Sequence, residues 1–507
     1  MSRSVRGWSP NVLLDGELGV VPPDARFETP PEAEEAEGHG GVRRQATHAL
    51  KWSSAAQLLS RAGAFTIGLI LARLLVPEEY GTYVVALGVV TILLTVDDMG
   101  LRQGLVRLTS EDEAPSRTAL TLATISGLVA YAVGFLIAPV VASVTSTPNS
   151  TSMIRVLCLA LIIDTLLHVV PSAALQRRFR QDLLTLSELA GLVVDFSVTI
   201  LLAATNHGAW SLVWGSLAGQ VARSVASQLL ARVRPRFGFD RQIARELIRV
   251  SGPFALASFV GAALLNVDYL LVGNILGPAA VGLYLIAFNV SSWPTSLVGA
   301  AVRGVAVPGF AQLTDRGGDV AATFSKALVL LAAAGIPFVT LLAVAPESVI
   351  TGLYGDQWGA GAGALRFLAV LALVRLLGGL ADDVLFALGR SSWILAKNTI
   401  WMVALAPAIV VGAHADGLRG VGIAQAAVAL VVVVPTLVVM IARLRLWHPS
   451  ALLIVKMAPG AVLAGVCGWM VDNNLDGSAF ARAAASGVVI LGVFALTLLP
   501  FRQQLRF

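Results

Sequence analysis

The sequence predicts an all-α integral membrane protein of about fourteen transmembrane helices, with two six-helix lobes related by pseudo-two-fold symmetry and two further helices at the C-terminus. Three observations predict it. The 507 residues are 56% hydrophobic and 13% charged, with a mean hydropathy of +0.78. A soluble domain carries about 25% charged residues, so this chain cannot cover itself with groups that face water. Apolar runs of roughly 20 residues, the length that spans a bilayer, follow one another from Arg43 onward. Finally, the stretch Leu71–Tyr83 returns: Pro77, Gly81, Tyr83 and Arg102 match Pro278, Gly282, Tyr284 and Arg303, all at an offset of 201.

Taken in order, residues 1–42 are polar and rich in Pro, Gly and Glu, with Pro30-Pro31 ahead of Glu32, Glu34, Glu35 and Glu37. Such a segment buries too little apolar surface to order itself. It also lacks the basic region and apolar core of a signal peptide, and reads as a disordered cytoplasmic tail. The first lobe is expected over 43–232, with spans near 52–75, 80–107, 117–143, 152–175, 183–205 and 210–232. A basic linker follows over 233–251, in which Asp240–Val250 looks like an amphipathic helix at the lipid surface. The second lobe is expected over 252–445, with spans near 252–276, 279–308, 324–346, 360–388, 393–413 and 420–442. Residues 446–507 supply two more spans, near 451–471 and 479–500, and a short tail. Turn residues such as Asn206-His207-Gly208 and Asp472-Asn473-Asn474 separate the spans.

Arg and Lys crowd alternate loops, for example Arg177, Arg178 and Arg180, the six arginines from Arg232 to Arg249, and Arg443 with Arg445. That bias puts both termini in the cytoplasm. It also accounts for the net charge of +5 without invoking nucleic acid. Each half contributes an even number of spans, so the two repeats run parallel and are related by an axis along the membrane normal. Cys158 and Cys467 lie in apolar runs and give neither a metal spacing nor a disulfide framework. There is no Gly-rich nucleotide loop ahead of a Lys, and no enzyme signature, metal site or resident cofactor is expected.

Ala72–Tyr83, Asp98-Met99-Gly100-Leu101, Ala174–Arg180 and Asp268–Gly273 with Gly277 together resemble the signatures of polysaccharide transport proteins. These are oligosaccharide flippases, in the superfamily that also holds lipid II flippases and multidrug and toxin extrusion antiporters. The resemblance covers about 45–500. It implies a multi-pass protein of the bacterial inner membrane that moves polyprenyl-diphosphate-linked oligosaccharide between leaflets by alternating access. It implies two lobes around a central cavity and an ion gradient, H+ or Na+, that resets the cycle. Polysaccharide polymerase and glycosyltransferases would be its partners, besides membrane lipids. Lipid II or a teichoic-acid precursor is the alternative cargo. A membrane glycan polymerase or ligase is disfavoured because every outer loop is short.

A charge at the bilayer centre is costly, so charges inside spans are the default site candidates. Arg61 lies about nine residues into span one, roughly 14 Å at helical rise. It suits phosphate binding, or an ion pair with Asp97 or Asp98. Arg375 sits mid-way along span ten and Arg223 along span six. Asp98 is placed to pair with Arg102 one turn later, whereas Gly299 precedes Arg303, leaving Arg303 as a freer cation at an inward mouth or as ordinary cytoplasmic-side charge. Asn266 and Asp268 have Phe65 and Ile67 as first-half counterparts, so the repeat alone does not require them. Asp268 would pair with an arginine or serve cation coupling. Asp164 and His168, one turn apart, read as a proton relay or a satisfied buried pair. Glu188 and Asp195 share a face of span five, and Asp382 and Asp383 read as interfacial. Pro294, Pro337 and Pro407 are candidate bends.

Overall fold

The structure is a computed structural model that describes residues 66–97, 114–295 and 319–501, apart from 148, 179, 234, 235, 294 and 389, together with the isolated residues 63, 101, 102 and 105. The tail over 1–42, Pro294, Arg61, Asp98 and Arg303 lie outside the described residues. The described residues belong to one compact unit, Ser53–Phe507. Among them there is helix and turn but no strand. That is what lipid demands, because a helix satisfies its own backbone hydrogen bonds. Nine described stretches are long and apolar enough to cross a bilayer, and two shorter apolar helices cover Gly261–Leu276 and Pro278–Ser291.

The first half contains α1 (66–74), α2 (Pro77–Asp97) and α3 (Ala114–Val144). Span four is built from α4 (Ser150–Leu157), α5 (Leu159–Leu167) and α6 (Val169–Arg177). The i to i−4 bonds Cys158 to Ile154 and His168 to Asp164 continue across both breaks, so the three pieces run on as one rod. The hairpin α7 (Gln181–Ala204) and α8 (Ala209–Ala231) closes this half. The second half holds α9 (Arg241–Leu276), α10 (Pro278–Ser291), α11 (Val320–Val344), α12 (Pro346–Tyr354) and α13 (Ala362–Ala387). It ends with α14 (Ser391–Val428), a π turn over Ala429–Val433 and α15 (Val434–Arg443). The long α14 carries a reversal at Asp416-Gly417, where φ/ψ leave the helical region. It therefore contains the whole of one expected span, 393–413, and the start of the next.

The turn into α2 shows how local chemistry sets an element. Pro77 stands at the first helical position, where its missing N–H costs nothing. Glu79, two residues on, reaches back to accept from the Val76 N–H at 3.3 Å, the return half of a capping box. The matching turn before α10 uses Gly277 at φ 81° instead, a conformation that glycine adopts without strain.

The repeat seen in the sequence is also a contact. α2 crosses α10 with the two motifs face to face. A Cβ on Gly81 would run into the Pro278 carbonyl, and a Cβ on Gly282 into the Pro77 carbonyl. Each glycine thus accommodates the other copy's proline. Tyr83 of α2 hydrogen bonds Ser216 at 2.6 Å, and its counterpart Tyr284 accepts from Gln425 at 2.6 Å. Ser216 and Gln425 are 209 apart, as are Gly208 (φ 54°, ψ −137°) and Gly417 (φ 54°, ψ −135°), the turns that open these helices. Near the α2 turn, Trp358 Nε1 and Gln357 Nε2 each donate to the Ala72 carbonyl at 2.7 Å, and Tyr80 meets Trp358 edge-on at 5.9 Å.

The segment expected as a separate surface helix over 240–250 is continuous with the next span, as the 36-residue α9. Asp240 caps it by accepting from Gln242 and Ile243 N–H groups. Ala244 and Leu247 are buried while Arg241, Arg245 and Arg249 are exposed. Leu247 packs with Leu101, Leu105, Leu120 and Val170, which gives the helix an apolar seat on protein. The C-terminal pair, α16 (Leu452–Asn474) and α17 (Ala479–Leu498), packs on α11 through Val329, Ala332, Ile336, Met457, Ile490 and Phe494. Pro337 and Pro407 lie inside α11 and α14.

Candidate functional site

A cavity of about 370 Å³ opens among α9, α10, α13, α14 and α15. Its described lining comes from residues 261–437, all in the second half of the chain. One face of α13 forms its floor: Arg375, Gly378, Gly379 and Asp382 follow at i, i+3, i+4 and i+7 and so lie in one stripe. The two glycines leave bare backbone between a cation and a carboxylate. A Cβ at Gly379 would meet nothing within 4 Å.

Arg375 is half-buried, with its guanidinium 4.9 Å from the centre of the Phe288 ring. It has no carboxylate within 4.0 Å among the described residues. A guanidinium held over an aromatic face keeps its in-plane N–H groups available. Lys397, at the same cavity, is differently disposed. It is 3% exposed and donates to both oxygens of Asp382, at 2.7 and 2.6 Å. Asp382, read as interfacial, pairs with the buried Lys397 between α13 and α14. The signal in the sequence is that Lys397 stands four residues inside the expected span 393–413. Breaking such a pair from one side costs about 3–5 kcal/mol. Lys397→Ala is therefore expected to lower the unfolding temperature in detergent, and Lys397→Ala with Asp382→Ala to restore most of it, since each single change strands the other charge.

Asp268 is 3% exposed and held by three donors or near-donors. Tyr284 donates to it at 2.8 Å, its own Tyr269 N–H at 3.0 Å and Gln425 at 3.5 Å. The carboxylate therefore answers the repeat tyrosine, with Arg375 lining the same cavity. Asn266 spends its amide N–H on the Ala262 carbonyl at 2.8 Å and faces Gly88 of α2.

The first-half candidates form a separate chain of contacts. Asp164 accepts from Gln220 at 2.7 Å, and Gln220 in turn accepts from Arg223. Arg223 pairs with Glu188 at 3.2 Å. His168 contacts Ser227 at 3.1 Å through Nδ1 and Glu188 at 3.9 Å through Nε2. Asp164 and His168 thus look across to α7 and α8 rather than to each other, and Arg223 is engaged by an acid. Asp195 accepts from Thr199 one turn on, at 3.1 Å. Arg102 is half-buried beside the fully buried Leu101. No group of His, Cys, Asp and Glu among the described residues could hold a metal ion.

The family described as "Polysaccharide biosynthesis protein" matches residues 70–362. The chain belongs to this family. The match takes in the repeat turns, Tyr83, Tyr284 and Asp268. The lipopolysaccharide biosynthesis protein WzxC of Escherichia coli (strain K12) is 23% identical over 445 residues, 84% of this chain and 89% of its own. The succinoglycan biosynthesis transport protein ExoT of Rhizobium meliloti (strain 1021) is 28% identical over 339 residues, 64% of this chain and 65% of its own. Among solved structures, the lipid II flippase MurJ in an inward closed conformation superposes with a TM-score of 0.75 at 11% identity, covering 90% of this chain and 99% of that one. An inward-facing multidrug resistance transporter of the MATE family superposes at 0.59 with 16% identity, covering 78% of this chain and 98% of that one. These likenesses establish the fold as that of helical membrane transporters.

Proposed function

We propose that this chain is a flippase, not an enzyme, that carries polyprenyl-diphosphate-linked oligosaccharide across the bacterial inner membrane by alternating access. One observation carries the reading: a half-buried arginine with no carboxylate within 4.0 Å among the described residues faces a cavity set among apolar helices. Moving a diphosphate through hydrocarbon costs several kcal/mol per charge. A planar guanidinium offsets that cost with paired charge-assisted hydrogen bonds, and Arg375 is placed to do so. Membership of the polysaccharide biosynthesis family and the printed role of ExoT in transport support the same reading.

The cavity is at the small end of the range of about 300–1,000 Å³ for ligand sites. It suits the diphosphate and the sugar next to it, with the prenyl chain left in lipid. We place both termini in the cytoplasm, from the bias of Arg and Lys among the loops. The Gly81–Pro278 crossing and the Trp358–Ala72 bond then lie at the outer end, and their release would open the outward path. The driving ion, H+ or Na+, is part of this proposal, as is delivery to a polymerase. The likeness to the lipid II flippase is one of fold at 11% identity and does not select lipid II as cargo.

The test uses the full chain reconstituted in vesicles with a fluorescent short-chain polyprenyl-diphosphate oligosaccharide and a membrane-impermeant quencher. The unaltered protein is expected to move the probe between leaflets. Gly379→Phe should slow movement at least tenfold with little change in unfolding temperature, because a Cβ there meets nothing within 4 Å and the residue lines the cavity. An unaltered protein that moves no probe, or a Gly379→Phe protein that moves it normally, would overturn the reading.

A further inference from the structure

Trp401 lines the cavity one turn beyond Lys397 on the same face of α14. Its indole Nε1 is buried and has no hydrogen-bond partner among the described residues. An indole N–H can only donate, and when buried it nearly always has an acceptor. The contrast within this molecule is direct, since the Trp358 N–H finds the Ala72 carbonyl at 2.7 Å. Around Trp401 stand Asn398 and the Lys397–Asp382 pair. Each Asp382 oxygen takes one bond from Lys397 and can accept another. One turn before Asp382 on the same stripe of α13 lies the backbone of Gly378 and Gly379.

An apolar occupant would leave the indole N–H, the amide and the carboxylate unanswered. A bare phosphate would be repelled by Asp382 and has no use for an indole edge. A pyranose satisfies the set once the Trp401 side chain turns its buried N–H toward the cavity: its ring hydroxyls donate to Asp382, accept from Lys397 and from the indole N–H, and its C–H face lies flat on apolar surface. On α13, Asp382 stands seven residues from Arg375, about 10 Å along the axis, so a sugar beside Asp382 adjoins a phosphate beside Arg375.

We propose that Trp401, Asn398, Asp382 and Lys397 form a pyranose subsite for the first sugar attached to the diphosphate. This rests on the flippase reading and assigns the polar end of the same cavity. The experiment compares two probes on the purified full chain in lipid nanodiscs: a bare polyprenyl diphosphate, and the same lipid carrying a single hexose. The unaltered protein is expected to bind the hexosylated probe about tenfold more tightly, the scale of one or two added hydrogen bonds. Trp401→Phe keeps the ring, loses the N–H and should reduce that preference severalfold. Trp401→Ala should bring the two affinities together while leaving the bare probe's affinity intact, and Asp382→Asn should bring them together with a rise in the bare probe's affinity, because the carboxylate is lost and the Lys397 charge is left unpaired. Arg375→Ala should weaken both probes by the same factor. Equal binding of the two probes by the unaltered protein, or a sugar preference that survives both Trp401→Ala and Asp382→Asn, overturns the subsite and leaves the flippase reading in place. Binding of neither probe by the unaltered protein overturns both.

Discussion

Arg375→Ala should reduce translocation of a polyprenyl-diphosphate oligosaccharide roughly ten- to hundredfold while the protein still inserts and folds. A charge-assisted hydrogen bond is worth about 1.5–3 kcal/mol, and each 1.4 kcal/mol is about a tenfold change in binding. The fold loses the contact with the Phe288 ring, worth about 0.5–2 kcal/mol, and a charge near the buried Asp268, so the unfolding temperature should fall modestly. Arg375→Lys should regain part of the activity only: an ammonium keeps the charge but not the planar pair of donors. The measurement is initial transport rate in vesicles, with unfolding temperature as the control. Normal rates in the alanine variant would remove Arg375 from the site. Arg223→Ala is a useful contrast. Its guanidinium is bound to Glu188 and Gln220, so its loss should show first in stability.

Gly81→Val should lower the unfolding temperature and stop transport, and Gly282→Val should do the same. At both positions the obstacle is the other helix's backbone, which cannot rotate away as a side chain would. Overpacking costs about 1–3 kcal/mol, and here it would push α2 and α10 apart at the crossing. The two substitutions load one contact, so the double variant should lose less than the sum of the singles. Gly68→Ala is the control, since a Cβ there meets nothing within 4 Å. A Gly81→Val protein with native stability and native transport would refute the importance of the crossing.

Much of the fold was legible because a bilayer restricts the chain so severely. Apolar length reports on helices directly, and the offset of 201 identified Pro77, Gly81 and Tyr83 with their second copies before any coordinates. The paired turns at Gly208 and Gly417 repeat the same theme at an offset of 209, a shift that the first motif does not reveal. The site was less legible. Arg375 was singled out as a charge in mid-span, which needs only hydropathy. Lys397 is hard to single out, because positive-side counting does not show which residues lie one helical turn too deep. Trp401 carried no signal at all, since an indole in an apolar helix is ordinary until its N–H is seen to lack an acceptor.

By itself the amino-acid order determined the class, the helices and their duplication, because hydropathy and repetition are properties of single positions and fixed spacings. The tertiary structure alone decided that Arg223 meets Glu188 35 residues away, that Gln425 answers Tyr284 across 141 residues, and that Arg375 lies over the Phe288 ring at the cavity. The physical reason is that a buried charge is governed by whichever group packing brings within about 4 Å, and that choice is made between helices far apart in the chain.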